Sequence, residues 1–446
     1  MVFVLSLILL IAYTYISIKI LKGDYENNRI LSVSSCPEEY YEMNSLMYYL
    51  IFVIVSAPLF LVPPFSLAKY AVYFIALLIL LKNRQLRIPN SWISRNYWLF
   101  FMWLIFSAMR SNQYSESIAL LIKYMIPILS LYLGYSAVKQ KYDIYYLIRF
   151  VLIGVLVYTF LIGGLAAKFY RWFYFSPIGD QFLKYAGFAD YQTSLFVMPF
   201  IMVWITGEKK WYLVGAAMLL STILEVVRTG LGGMFIVITI FLFYKHKWKS
   251  MPLIGMIVAG MIAIVLFVPD INQKFFGENA GNVSTESIIK DDAMSFDNIQ
   301  NNGREFMWTI VMNKCYKGHE IFGSGLGNAV TYLKYLKENV INMANMSVLL
   351  HNDYVQIMCD TGLIGLCLLI FFFITLMYSI TKTIWNNDDF YVKVTGIMAI
   401  ASMCGVAFSM GFDNVVSHSM TSLIMPFIFT GIYLKTVELS EYDELS

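Results

Sequence analysis

The sequence predicts an all-α polytopic membrane protein of roughly 12–14 transmembrane helices with one long, partly helical loop on the outer side. Three observations carry that reading. Charged residues make up only 14% of the chain and apolar ones 59%, where a soluble domain carries about 25% charge. Mean hydropathy is +0.64. Apolar runs near the ~20-residue length that a helix needs to cross hydrocarbon recur along most of the chain. So few charges cannot cover a soluble surface, which excludes an intrinsically disordered chain and a secreted disulfide scaffold. The net charge of +3 gives no reason to expect a nucleic-acid partner.

Cutting the sequence at charged and Pro/Gly clusters gives thirteen spans. Run 2–21 lacks the basic start and small-residue cleavage site of a signal peptide and reads as an anchor. Runs 45–61 and 66–81 flank Val62, Pro63, Pro64 and Phe65, which are either a turn between two helices or a kink in one. Seven further runs follow at 97–109, 117–138, 146–166, 191–205, 211–227, 230–244 and 251–268. The last three are 362–380, 392–410 and 417–435. The chain therefore divides into N-terminal membrane helices (1–268), a long outer loop (269–361), and C-terminal helices with a short inner tail (362–446).

Short-loop lysines and arginines set the orientation, because cytoplasmic loops carry the excess. Thirteen fall in one alternate set, which holds Arg95, Lys141, Lys209, Lys247 and Lys393; only Arg110, Lys168, Arg171, Lys184 and Arg228 fall in the other. The first set is assigned to the inside, together with the tail 436–446. Loop 269–361 is then outside. Its first part, 272–302, is Asn/Asp/Ser/Gly-rich without periodicity and reads as solvated. Helical spacing returns with Phe306, Met307, Ile310 and Val311, breaks at the GSGLG turn of 323–327, and resumes with Leu333, Leu336, Val340 and Ile341. These segments read as short helices on the outer face of the membrane.

The five cysteines (Cys36, Cys315, Cys359, Cys367 and Cys404) form no CxxC and no Cys/His cluster of metal-ligand spacing. Cys367 and Cys404 lie in apolar runs and read as small buried hydrophobes.

Once this topology is drawn, three residues far apart in sequence meet at the outer face. Arg228 stands at the tight turn between two spans, Arg304 opens the ordered half of the long loop, and His351 lies near its end, about ten residues before the next span. Such a cationic mouth suits an anionic group such as a lipid diphosphate, since guanidinium offers a planar fork to phosphate oxygens. The alternative is a snorkelling or solvated charge, and for Arg228 a simple pairing with Glu225 one turn earlier. An imidazole suits proton removal from a hydroxyl near neutral pH, although a lone His in HNDY is more often a hydrogen-bonded structural residue. His246 belongs with the inner lysines, His319 lies in a polar turn, and His418 is either a cap or a minor site member. Lys123 inside an apolar run is a functional candidate or a charge paired within the bundle. GSGLG reads as a plain turn more readily than as a phosphate cradle, since no P-loop pattern surrounds it. Asp413 in GFDN reads as a helix cap, and Asp360 to Gly365 (DTGLIG) as a helix start whose small residues allow close packing.

In order, R-T-G at 228–230, G-R-x-x-x-W (Gly303, Arg304, Trp308), F-G-S-G-L-G at 322–327 and H-N-D-Y-V-Q-x-x-x-D-T-G-L-I-G at 351–365 resemble the O-antigen polymerase and ligase superfamily of bacterial inner membranes. The motifs cover 225–370; elsewhere the likeness is one of hydropathy and loop position. The resemblance implies a multi-pass inner-membrane glycosyltransferase of surface polysaccharide and lipopolysaccharide synthesis. Its active site faces the periplasm, and it needs neither metal nor cofactor. Donor and acceptor are undecaprenyl-diphosphate-linked oligosaccharides, with membrane lipid, a chain-length regulator and a flippase as further partners. By the same resemblance Arg228 and Arg304 hold the donor diphosphate and offset charge on the leaving group, and His351 orients or deprotonates the acceptor hydroxyl for inversion at the anomeric carbon. Asn352, Tyr354 and Lys123 complete the expected substrate-binding set. The family often has Glu where this chain has Asp360, so no role follows for it.

A polymerase is favoured over a ligase because the outer loops lack the dense Lys/Arg cluster that a phosphate-rich core acceptor invites. A lipid-linked solute transporter or flippase is the third reading. It is disfavoured because the polar candidates gather at one face rather than the midplane, and the long loop has no counterpart in the first half. The 17% aromatic content fits interfacial belts and sugar stacking.

Overall fold

In the computed structural model, residues 43–58, 75, 78, 81, 91–161, 187–225, 227–267, 304–339, 348–419 and 421–445 are described. No strand occurs among them, and six helical stretches are long and apolar enough to cross a membrane. Span 2–21, the VPPF segment, most of 66–81 and the polar excursion 272–302 lie outside the described residues.

The helices are α1 (Ser45–Ser56), α2 (Trp92–Met109), α3 (Tyr114–Ala137), α4 (Tyr142–Leu161), α5 (Gly187–Leu195), α6 (Met198–Thr206), α7 (Trp211–Glu225), α8 (Arg228–His246), α9 (Met251–Phe267), α10 (Arg304–Val311), α11 (Asn328–Asn339), α12 (Asp353–Asn386), α13 (Phe390–Met410) and α14 (Ile424–Leu445). The core is made by α3 against α14, α8 against α13, α13 against α14, and α2 against α12. Small residues let backbones close on one another, as membrane helices require when apolar burial gives no preference between lipid and protein. A Cβ on Gly431 would lie 2.1 Å from the Leu131 carbonyl oxygen, and one on Gly134 2.3 Å from that of Ile428. Gly233 and Gly405 play the same part where α8 crosses α13.

Four expectations are corrected. Run 191–205 is two helices, α5 and α6, parted at Phe196 and Val197; Pro199 has no N–H to continue the ladder back to Leu195. The helix expected at 362 starts at Asp353, where Asn352 caps it by accepting the Val355 N–H at 3.0 Å. Gly362, with φ 71°, is a kink inside α12 rather than its beginning. The last helix starts at Ile424 rather than 417 and continues through the expected tail to Leu445. Cys367 is exposed, whereas Cys404 is partly buried.

Among the described residues, different loops meet at the two ends of the bundle. At one end Lys141 pairs with Asp389 at 2.6 Å, Lys245 lies over the Trp204 ring, Trp204 touches Phe390, and Tyr135 and Lys435 both reach Glu438. At the other end Ser111 meets Asn328, Lys334 pairs with Glu116, and Arg304 reaches Phe412. A turn at Lys247–Ser250, with Lys247 at φ 53°, parts α8 from α9 at the lysine-rich end.

Candidate functional site

Two short motifs interlock to make the site. The Nδ1 of His351 lies 3.2 Å from Oδ1 of Asp413, and the His351 backbone N–H donates to Oδ1 of Asn414 at 3.1 Å. In return the Val416 N–H donates to Oδ2 of Asp353 at 3.1 Å, and the Tyr354 hydroxyl donates to the Ala407 carbonyl at 2.7 Å. HNDY before α12 and GFDN after α13 are thus fastened side by side. His351 takes a left-handed backbone with φ 52°, uncommon for a residue bearing a Cβ and held here by bonds on both its N–H and its ring.

The spacing in G-R-x-x-x-W has a geometric meaning. Arg304 and Trp308, four residues apart, share one face of α10. Arg304 Nη1 donates to the Phe412 carbonyl at 2.7 Å, while the Trp308 indole N–H donates to the Leu350 carbonyl at 2.7 Å. One helix turn therefore grips the residue before Asp413 and the residue before His351. Burial lowers the Arg304 pKa from its ordinary value and the Asp413 charge opposes that shift. Arg228, at the head of α8, feels the charge of Arg304, so the two guanidinium groups stand within electrostatic reach of each other. Burial pushes the Asp413 carboxyl up, but the bonds from the His351 ring and the Asn414 N–H, with the charges of His351 and His418, hold it below its ordinary value.

Lys123 lies on α3, within electrostatic reach of Asp353, Glu116 and Lys334. Asn352 and Tyr354, expected among substrate-binding residues, use their side chains within the fold, as the α12 cap and as the tie to Ala407.

GSGLG holds no backbone donor over for a phosphate. The N–H groups of Gly323, Ser324, Gly325, Leu326 and Gly327 donate to His319 O, Cys359 O, Asp360 O, Ser107 O and Asp360 Oδ2. Asp360 also accepts the Ala329 N–H at 2.9 Å through its other carboxylate oxygen. The small residues of DTGLIG serve this docking, since a Cβ on Gly362 would stand 2.2 Å from the Ile321 carbonyl oxygen. Arg110 adds Nη1 and Nη2 donors to the Phe322 and Gly323 carbonyls at 3.0 and 3.5 Å. The plain-turn reading holds, and Asp360 gains a structural role.

The sequence reading gives Asp413 to a helix cap; in the fold its carboxylate is the partner of the His351 ring, and nothing local in GFDN signals a contact across 62 residues.

Residues 213–370 match the family model described as O-antigen ligase. That match supports the O-antigen polymerase and ligase superfamily, the one the motifs resemble. The matched segment includes Arg228, Arg304 and His351, whereas Lys123, Asp190 and Asp413 lie outside it. No curated protein matches the chain.

Proposed function

We propose that this chain, whose residues 213–370 match the O-antigen ligase family model, is a polysaccharide polymerase that joins undecaprenyl-diphosphate-linked repeat units at the periplasmic face of the inner membrane. The observation that carries the reading is the His351–Asp413 contact standing beside Arg304 and Arg228. With Nδ1 committed to Asp413, Nε2 is the nitrogen that takes the proton from the acceptor hydroxyl, and the Asp413 carboxylate stabilises the imidazolium that results. The acceptor oxygen then bonds to the anomeric carbon of the donor as its bond to the diphosphate breaks, with inversion. Arg228 and Arg304 receive the negative charge that the lipid diphosphate carries away. A diphosphate leaves without an acid partner, so the mechanism requires neither a metal nor a second carboxylic acid.

Lys123 and Asp353 lie beside this centre and are read as its wall on the acceptor side. Polymerase is preferred to ligase because the outer loops lack a dense basic cluster for a phosphate-rich core. The test is a gel of surface lipopolysaccharide with extracted lipid-linked glycan, from cells lacking the gene and complemented with wild type or His351→Ala. Core bearing a single repeat unit in the null and the mutant supports the polymerase. Bare core with long chains held on undecaprenyl diphosphate makes the chain a ligase, and normal ladders in both remove the assignment.

A further inference from the structure

Phe412 stands between Gly411 and Asp413, just past the end of α13, and its backbone is tied at both polar groups. Its N–H donates to the Ser409 carbonyl at 3.0 Å, and its own carbonyl accepts Arg304 Nη1 at 2.7 Å. Gly411 ahead of it lies against the Tyr354 ring, where a Cβ would stand 3.8 Å from Cε2. Asp413 after it holds the His351 ring at 3.2 Å, and Asn414 accepts the His351 N–H at 3.1 Å. The Phe412 side chain is treated differently from this fixed backbone: its ring is left outside, with the residue 47% exposed.

Exposed apolar side chains are ordinary on a helix that faces lipid, and α12 shows them along its length at Ile370, Phe371, Ile374 and Tyr378. α13 is different. Most of it is buried in the bundle, and the large apolar side chains exposed across 390–419 are Phe390 at the far end and Phe412 at the site. Phe412 therefore ends a helix shielded from lipid and stands next to charged groups. Its ring rests on that of Phe408, one turn earlier, with centroids 5.0 Å apart. Phe408 in turn fills the space over Gly232, where a Cβ would stand 2.4 Å from the ring. Gly232 is four residues after Arg228 and shares its face of α8. The exposed ring is thus tied through Phe408 to the Arg228 face of α8, through its own carbonyl to Arg304, and through the next residue to His351.

We propose that Phe412 is the stacking platform for the donor sugar whose anomeric carbon is attacked, and so a substrate-binding residue of the transfer. The inference rests on the glycosyl-transfer reading of the site. In that reaction the reacting sugar lies between the diphosphate it leaves and the hydroxyl that attacks it. Those groups belong to Arg228 with Arg304 and to His351, and Phe412 is an exposed ring joined to all three. A pyranose presents a face of C–H groups with partial positive charge, and the negative face of an aromatic ring attracts them. The contact fixes the plane of the sugar and leaves its hydroxyls to polar groups. A lipid tail, the other apolar occupant, needs bulk but no flat face, and that difference separates the two.

The experiment measures turnover in membranes carrying the full chain, with lipid-linked repeat units extracted from cells lacking the gene. Phe412→Ala raises KM about three- to tenfold, the range of one aromatic stacking contact, while kcat falls by less. Phe412→Trp recovers most of that loss, and Phe412→Leu, which keeps apolar bulk without a flat face, does not. A Leu variant that matches wild type puts a lipid tail on the ring and overturns the proposal, as does a wild-type KM in Phe412→Ala. Equal losses of turnover and melting temperature in the Ala and Trp variants mark packing alone and overturn it too. If Phe412→Ala does not accumulate, the Leu and Trp variants decide. A second readout stands apart from turnover: in solubilised Phe412→Trp, repeat-unit oligosaccharide freed of lipid and diphosphate changes the tryptophan emission relative to wild type, and an unchanged emission overturns the platform. His351→Ala separates the two readings. If it is active, the site assignment fails; if it is inactive while Phe412→Ala has wild-type kinetics, only the Phe412 inference fails.

Discussion

Nδ1 of His351 and Oδ1 of Asp413, 62 residues apart in sequence, stand 3.2 Å from each other, and that contact joins the ends of two helices into one centre. The Asp413 side chain is 13% exposed and accepts the Asn414 N–H as well. Asp413→Asn preserves size and removes the charge that steadies an imidazolium. Turnover should fall by about 10²-fold with protein abundance unchanged, read as loss of long chains on a lipopolysaccharide gel. Wild-type ladders from Asp413→Asn would show that the contact is structural only.

The same contact fixes a pH dependence of stability. The folded Asp413 carboxyl titrates below its ordinary value of 3.8. A group lowered in this way contributes stability that is present above its unfolded pKa and is lost only as pH falls through the folded one. The tie between HNDY and GFDN therefore survives mild acid. Thermal unfolding of the solubilised protein, comparing wild type with Asp413→Asn, should show a deficit in the variant at pH 5 that is lost as pH falls below about 4.

Asp360 accepts both the Gly327 and Ala329 N–H groups at 2.9 Å, and it is 1% exposed. Asp360→Ala leaves two buried donors unmatched, at about 1–3 kcal/mol each. The expected phenotype is a lower melting temperature and less protein in the membrane, with normal turnover per surviving molecule. Normal abundance with lost turnover would move Asp360 from the scaffold into the chemistry.

The legible parts of this molecule are those that hydropathy and charge report. The all-helical class and its membrane-length apolar helices follow from them, because an apolar run acts locally. The head of α12 lies nine residues ahead of the apolar run at 362 because Asp353 and Asp360 lower the hydropathy of its first turns, while the hydrogen-bond ladder and the Asn352 cap are indifferent to that. Asp413 is hidden for another reason: its contact with His351 spans 62 residues, and nothing local in GFDN states which partner it meets.

Arg228 and Arg304 give the most direct test of what the site binds. Their charges act on each other, and burial weakens the solvent screening that would separate them. Bringing an anion between two guanidinium groups offsets that repulsion and supplies oxygens for their planar forks. Inorganic diphosphate, which carries the charged part of the expected donor without lipid or sugar, should therefore raise the melting temperature of the solubilised protein, by an amount that grows with ligand concentration as binding to the folded state requires. Arg304→Ala and Arg228→Ala should each remove most of the shift. Arg304→Lys should recover only part of it, because an ammonium keeps the charge but loses the fork that also holds the Phe412 carbonyl. A full diphosphate shift in either alanine variant would place the anion elsewhere and leave that arginine to the fold.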